Sequence, residues 1–400
     1  MKTLVAGKSR GLVLQWGHKR FYLDTVLLSA CMGILVLGYI MVASASLHLG
    51  EKLANDSFYF PKHQLVHVFM GLAAALFVAS RPLAFWENSS KTLFIFGLFL
   101  LVLVLIPGLG KTVNGSARWL SLLGVRIQVS EVFKLISVIY MASFITHRLD
   151  LVRSSWQGML RPMAMLAVGC VLLLKEPDFG SAAVIVAVAM GMLYLAGARL
   201  VQFGILLACA GVGAGFLVFT SAYRLKRVLS FADPWADPLN TGFQLTQALI
   251  AFGRGEWVGV GLGSSVQKLF FLPEAHTDFL FSVIGEELGL MGACVVISLF
   301  SIIVWRAFVI GRQAERVEKR FAAFTAYGLG IWFGLQSFIN MGVNMGMLPT
   351  KGLTLPLMSY GGGSMIVMCS ALALLFRVRS EVMEASGSIS RERASWSRVS

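Results

Sequence analysis

Ten long stretches of apolar residues divide this chain, and polar segments separate them. The stretches lie near residues 25–45, 63–80, 92–107, 131–147, 162–175, 180–198, 201–220, 279–305, 321–345 and 355–376. A helix needs about 20 predominantly apolar residues to cross the hydrocarbon core of a bilayer. The pattern therefore predicts an all-α membrane protein of about ten transmembrane helices, with a membrane domain over residues 25–376.

The composition agrees with a membrane protein that crosses the bilayer many times. Of the 400 residues, 57% are hydrophobic and only 14% are charged, and the mean hydropathy is +0.76. A soluble domain of this length would need more polar surface. Basic cytoplasmic loops and attraction to anionic membrane lipid account for the net charge of +14, so no nucleic acid is predicted as a partner.

The distribution of Lys and Arg predicts the orientation in the membrane. With the N-terminus inside, the cytoplasmic segments carry 21 of these residues and the opposite segments carry 12, five of them in the loop 221–278. Cytoplasmic loops are enriched in Lys and Arg. Both termini are therefore predicted to be cytoplasmic, as a tail over 1–24 and a disordered Ser- and Arg-rich tail over 377–400. The long loop 221–278 is predicted to face outward.

The first apolar stretch has some features of a secretory signal peptide. Basic residues precede it, and Ala43-Ser44-Ala45-Ser46 at its end resembles a cleavage site. Its apolar run is longer than a signal peptide usually has, and nine more stretches follow. We therefore interpret this stretch as an uncleaved first transmembrane helix.

The polar segment 221–278 is far longer than a simple connection, and connections of that length are usually functional or disordered. Apolar residues recur at helical spacing between positions 243 and 252, with Gln244 and Gln247 on the opposite face. A glycine-rich stretch over 253–263 follows. The segment is predicted to form a short helix in the outer membrane interface and then a loop that approaches a ligand closely.

Seven short motifs occur in one order along the chain. They are Asn114-Gly115-Ser116-Ala117-Arg118-Trp119-Leu120, Gln128-Val129-Ser130-Glu131, Glu176-Pro177-Asp178-Phe179-Gly180, Asp233-Pro234-Trp235-Ala236-Asp237-Pro238, Gly242-Phe243-Gln244-Leu245, Leu272 to Gly289, and Leu348-Pro349-Thr350-Lys351-Gly352. Together they closely resemble the SEDS family (shape, elongation, division and sporulation) over residues 25–376. The chain departs from the family at Val129, where Pro is usual, and at Glu176, where Gln is common.

The resemblance implies an activity, a location and partners. It is strongest to members that act in cell division, and it implies a peptidoglycan glycosyltransferase that polymerises lipid II in the bacterial inner membrane at the division septum. The implied partners are lipid II, a class B penicillin-binding protein transpeptidase and other divisome proteins. A lipid II transporter and a non-catalytic divisome scaffold are the alternatives. A transporter would require charged residues along a path through the bilayer. A scaffold would function without Asp278.

The family implicates the Asp of its Thr-Asp-Phe motif, which is Asp278 here. Attack by a sugar hydroxyl needs a base, and the departing lipid pyrophosphate needs positive charge. Asp278 is therefore predicted to act as the base or to bind a divalent cation, Mg²⁺ or Mn²⁺, that assists the pyrophosphate; no organic cofactor is implied. The residues alone allow another interpretation, because Asp is also a favoured N-cap where a helix begins.

Positively charged residues on the predicted outer side are candidates for holding the pyrophosphate. Each one alone is more typical of an interface or lipid-headgroup contact, whereas together they suit a phosphate group. The family pattern favours Arg227 and Lys351. The full set of predicted substrate-binding residues is Arg227, Lys351, Arg118, Lys268 and Gln244.

Polar residues inside the apolar stretches also require partners. Glu131 and Lys134 stand at i and i+3, the spacing of a helical ion pair, and this pair is either structural or part of a cavity near lipid II. Asn340 and Asn344 stand at i and i+4, where interhelical hydrogen bonds are the default.

Three residues near Asp278 are predicted to lie close to its site. Glu286 would point about 80° away from Asp278 around the same helix, and is either structural or part of the same cavity. Glu274 and His276 are predicted to line that cavity as well.

Overall fold

The computed structural model describes residues 4–6, 11–16, 19–113, 116–122, 125–240, 242–269, 271–349 and 352–396. These residues form helices α1 (Thr25–Ala54), α2 (Tyr59–Ser80), α3 (Leu83–Leu105), α4 (Val129–His147), α5 (Leu149–Ser154), α6 (Trp156–Lys175), α7 (Phe179–Leu195), α8 (Leu200–Phe219), α9 (Ala222–Ala232), α10 (Phe243–Gly255), α11 (Leu280–Arg316), α12 (Arg320–Asn344) and α13 (Gly362–Trp396). They also form six strands, β1 (Leu4–Ala6), β2 (Gly11–Trp16), β3 (Lys19–Asp24), β4 (Gly110–Val113), β5 (Ser116–Leu122) and β6 (Val125–Gln128).

Each of the ten predicted spans coincides with a helix, and the all-α membrane class is confirmed. Seven helices in the described part of the chain are long and apolar enough to cross a bilayer, namely α1, α2, α4, α6, α8, α11 and α12. Helix α7 and the Ser90–Leu105 part of α3 are apolar but shorter. The number of ten transmembrane helices therefore stays a prediction.

Helices α4 and α12 lie at the centre of the bundle. In each of them 72% of the most apolar 18-residue window is buried, against 6% in α8. The central helices pack against α3, α7 and α11. A central helix cannot turn its polar residues towards water, so those residues must find partners inside the protein.

Two small antiparallel sheets flank the helices, and the sequence predicted neither. Strands β1, β2 and β3 pair in that order within the predicted N-terminal tail, and β4, β5 and β6 pair between α3 and α4. The strands are only three to seven residues long. Runs this short carry little periodicity, so the hydrophobic pattern does not reveal them.

The prediction of a disordered tail over 377–400 is wrong for residues 377–396, which continue α13; residues 397–400 lie outside the described part. Tertiary contacts hold the start of this extension. Glu381 accepts a hydrogen bond from the backbone N–H of Leu83 at 2.8 Å, and Arg379 forms an ion pair with Asp24 at 3.7 Å. A polar composition indicates disorder only when such partners are absent.

Helix α11 is interrupted near its beginning. Gly289 has φ 64° and ψ −162°, which is not helical, and a side chain there would meet the backbone of Trp257 and Gly259. The helical segment before the break, Leu280 to Leu288, begins two residues after Asp278. The predicted span 279–305 is therefore two helical segments, and the candidate site lies just before the short first one.

Candidate active site

Asp278 lies partly buried two residues before α11, at the end of the bundle that we call the site end. The N-cap position of α11 is Phe279, and no side chain makes a capping hydrogen bond there. Asp278 therefore precedes the N-cap position of α11 and does not occupy it. Its position is set instead through its backbone carbonyl.

Two asparagines of α12 hold that carbonyl. The side-chain amides of Asn340 and Asn344 donate hydrogen bonds to the carbonyl oxygen of Asp278 at 2.9 and 3.0 Å. Asn340 also donates to the carbonyl of Leu353 at 2.6 Å, and Asn344 accepts from the hydroxyl of Ser282 at 2.7 Å. The Asn344–Ser282 contact confirms the predicted interhelical hydrogen bonds, and the bonds from α12 to the loop carbonyl fix the backbone at Asp278.

The segment between α12 and α13 lies against the Asp278 carboxylate. A Cβ atom added at Gly352 would stand 2.9 Å from the Asp278 Oδ2 atom, so the backbone itself makes the contact. Further along, the Ser359 hydroxyl donates to the carbonyl of Thr277 at 2.6 Å. The two segments are thus bound to each other on either side of the carboxylate.

His276 and Glu274 lie in the same loop as Asp278. The His276 ring contacts the rings of Phe60 and Tyr360, with centroids 4.9 and 5.5 Å apart. Burial lowers the pKa of His276, and the nearby Glu274 carboxylate opposes that shift. Glu274 is exposed and accepts a hydrogen bond from the Thr277 hydroxyl at 2.6 Å. His276 therefore supplies a largely apolar wall beside the loop.

Glu131 and Lys134 form the predicted ion pair, with Nζ 2.7 Å from Oε1 and both side chains buried. Lys134 also donates to the Gln336 carbonyl oxygen at 2.7 Å, and lies 5.7 Å from the Trp332 ring centroid. The Gln336 amide donates to the backbone carbonyl of Thr354 at 3.2 Å. The pair thus connects α4, through α12, to the segment that contacts Asp278.

Two of the predicted outer cations are committed to protein contacts. Arg118 donates to the backbone carbonyls of Glu176 and Pro177 at 3.1 and 2.6 Å, which holds the turn between α6 and α7. Lys268 is buried, with its Nζ atom 2.7 Å from Glu287 and 3.0 Å from the Ser44 hydroxyl. Lys268 is therefore an interior ion-pair partner and not the surface cation that we predicted.

The other predicted substrate-binding residues are placed only in part. Gln244 lies on α10, partly buried. Arg227 belongs to α9, but its side chain is outside the described atoms, and Lys351 is outside the described residues. Their proposed contact with pyrophosphate stays a prediction.

Glu176, where the chain departs from the pattern of the family it resembles, has an unusual environment at the site end. Its side chain is 1% exposed, and neither carboxylate oxygen has a hydrogen-bond partner among the described residues. Burial raises its pKa to about 8, the Asp178 carboxylate adds to the rise, and Arg118 opposes it. At neutral pH the group is mostly the neutral acid, which resembles the Gln that is common in the family.

A divalent cation at Asp278 would need the substrate to supply some of its ligands. Among the described residues, no three His, Cys, Asp or Glu side chains are close enough to hold a metal ion together. Mg²⁺ is often held by one or two carboxylates together with substrate phosphates. A cation shared between Asp278 and a lipid pyrophosphate fits that pattern.

Sequence reasoning missed the parts played by Gln336 and Gly352. Gln336 precedes Asn340 and Asn344 by four and eight residues, and residues at this spacing share one face of a helix. That spacing was a usable signal. The contact of Gly352 with Asp278 has no local signal, because it joins residues of separate segments.

Comparison with known proteins places this architecture in a family. The sequence profile of the FtsW, RodA and SpoVE family, described as cell cycle protein, matches residues 25–384. The chain is 68% identical over 383 residues to the probable peptidoglycan glycosyltransferase FtsW of Methylococcus capsulatus, covering 96% of each chain. It is 51% identical to the protein of the same name in Legionella pneumophila, covering 90% of this chain and 91% of that one.

Solved structures share the fold. One chain, from a study of how a peptidoglycan synthase complex coordinates polymerization and crosslinking, superposes with a TM-score of 0.74 at 26% identity. The match covers 92% of this chain and 99% of that one. The rod shape determining protein RodA of Thermus thermophilus has the same fold, with a TM-score of 0.64 at 23% identity over 89% of this chain and 96% of that one.

Proposed function

The chain belongs to the cell cycle protein family of FtsW, RodA and SpoVE, and on that premise we propose that it is a peptidoglycan glycosyltransferase that polymerises lipid II into glycan strands. The observation that carries the proposal is the way in which Asp278 is held in place. Two asparagines hold the backbone carbonyl of Asp278 beside the start of α11, and its carboxylate lies against the backbone of Gly352.

The reaction has three parts. The 4-hydroxyl of a GlcNAc attacks C1 of a MurNAc, the C1–O bond to the lipid pyrophosphate breaks, and the hydroxyl proton must be taken up. Asp278 either accepts that proton or binds a divalent cation that neutralises the departing pyrophosphate. Fixed geometry matters because well-oriented reacting groups react far faster than free ones.

Orientation and location follow from the same proposal. The site end faces outward, both termini are cytoplasmic, and the protein works at the division septum of the inner membrane. The Lys and Arg distribution supports this orientation.

A reporter inserted after residue 240 should be accessible from outside the cytoplasm and one at residue 318 should not. The opposite labelling pattern would contradict both the orientation and the site assignment.

The proposed partner is a class B penicillin-binding protein that supplies transpeptidation, together with other divisome proteins. The structural relative with a TM-score of 0.74 comes from a peptidoglycan synthase complex. We expect a family relative of that chain to bind a comparable partner. The partner's own membrane helix would then lie beside this bundle.

Lipid II polymerisation by the purified protein tests the function. We expect the chain with its partner to convert labelled lipid II into glycan strands that lysozyme digests, in the presence of Mg²⁺ or Mn²⁺. Transport of lipid II across proteoliposomes without polymer formation would favour a transporter. Partner binding without either activity would favour a scaffold.

A further inference from the structure

The buried carboxylates Glu286 and Glu287 lie at the base of a closed loop that carries Asp278. Glu286 accepts hydrogen bonds from the Ser265 hydroxyl and from the backbone N–H groups of Val266 and Gln267, the last two at 3.0 and 3.3 Å. From this base the chain runs outward to Asp278 and returns through the first turns of α11. The side chain of Glu286 therefore closes a loop over residues 265–286.

Glu287 closes the same loop through an ion pair. Its Oε1 atom is 2.7 Å from the Lys268 Nζ atom, and both side chains are almost completely buried. The Ser44 hydroxyl of α1 donates to Glu287 at 2.8 Å and accepts from Lys268 at 3.0 Å. The base of the loop is thus bound to α1 as well as to α11.

The backbone of the two glutamates is bound by the preceding glycine-rich loop. The break at Gly289 frees the carbonyls of Glu286 and Glu287 from the helical pattern. The N–H groups of Val260 and Gly261 donate to them at 3.0 and 3.1 Å. A short helical segment that is cut off from the rest of α11 is therefore held by its neighbours, because its own hydrogen bonds cannot hold it.

We propose that Glu286 and Glu287 are positioning residues that set the place of Asp278, an inference that rests on the proposed glycosyltransferase function. We call their contacts with residues 265–268 the loop latch. Asn340 and Asn344 hold the tip of the loop and the latch holds its base, so Asp278 is constrained from two directions. A misplacement of about 1 Å can cost a hundredfold in rate, which is why such a latch matters to catalysis.

The charge of the latch makes it testable. Glu287→Gln keeps the shape but leaves the Lys268 ammonium buried without a counter-charge, and an unpaired buried charge is strongly unfavourable. Glu287→Gln combined with Lys268→Met removes both charges. We expect the single variant to lose about a hundredfold in kcat with little change in KM for lipid II. The double variant should stay about as slow as the single one, because it also lacks the ion pair that closes the loop.

Glu381→Gln is the matched control. Glu381 also accepts charged hydrogen bonds, from Arg377 at 2.9 Å, but it lies far along α13 from the site end. Its kcat should stay close to the wild-type value. A single variant with wild-type kcat would overturn the proposal. A double variant restored to the wild-type rate would overturn it too, because the unpaired charge alone would then explain the slow single variant.

Hydrogen exchange separates positioning from a general loss of stability. In Glu286→Gln and Glu287→Gln proteins, amides of residues 265–279 should exchange faster, while those of α4 and α12 should be unchanged. Faster exchange everywhere, or a fall in kcat with no change in the loop, would contradict a positioning role. If the wild-type protein makes no glycan, the proposed function fails, and the exchange rates still decide whether the carboxylates hold the loop.

Discussion

Asp278→Asn protein is expected to fold and insert into the membrane and yet to polymerise no detectable lipid II. The structure explains why folding should survive. Asn340 and Asn344 bind the backbone carbonyl of Asp278, which the substitution leaves in place, and Asn has nearly the same size as Asp. The substitution removes the negative charge that a base or a cation ligand needs.

The measurement compares glycan synthesis by purified wild-type and Asp278→Asn proteins, each with its partner, and checks folding by size-exclusion chromatography. Asp56→Asn is the matched control, because Asp56 is an exposed carboxylate in the turn between α1 and α2, paired with Lys62 at 2.8 Å. It should polymerise like the wild type. Substantial glycan synthesis by Asp278→Asn protein would remove the catalytic role from this residue.

Lys351→Ala protein is expected to lose about a hundredfold in polymerisation rate. The next residue in the sequence, Gly352, is so close to the Asp278 carboxylate that a Cβ there would be 2.9 Å from Oδ2, and the family pattern favours Lys351 as a pyrophosphate contact. Charge that develops on the leaving phosphate oxygen is met by charge-assisted hydrogen bonds. Loss of one such transition-state contact costs about 3 kcal/mol, or roughly a hundredfold.

Initial rates at saturating lipid II test this expectation, with Arg316→Ala as the control. Arg316 ends α11 at the opposite end of the bundle from Asp278, so its loss should leave the rate unchanged. Arg227→Ala should fall in the same direction as Lys351→Ala. Wild-type rates in all three proteins would mean that these cations contact lipid headgroups, and that a divalent cation handles the pyrophosphate.

Contacts that depend on residues one or two helical turns apart could be predicted from the sequence. The i, i+3 spacing of Glu131 and Lys134 indicated an ion pair, and Asn340 and Asn344 inside one apolar stretch indicated interhelical hydrogen bonds; the structure confirms both. Glu286 shows the limit of such reasoning. Its angle around the helix was predictable, but its partners at 265–267 come from a loop whose path no local pattern reveals.

The C-terminal segment and Lys268 show the same limit. The composition of 377–400 indicated disorder, and the contacts of Glu381 with Leu83 and of Arg379 with Asp24 made a helix of its first part. Lys268 was predicted as one of the outer-side cations that could hold the pyrophosphate. Its burial depends on Glu287 and Ser44, which lie 19 and 224 residues away in sequence.

The sequence by itself determined the membrane class, the places of the ten apolar helices and the family, because hydropathy and motif order are properties of the chain read locally. Only the tertiary structure decided what surrounds Asp278. The local residues fit a helix cap as well as a catalytic carboxylate, whereas Asn340, Asn344 and Gly352 set the surroundings of its backbone and carboxylate. Those residues lie more than 60 positions further along the chain, so only folding brings them to the carboxylate.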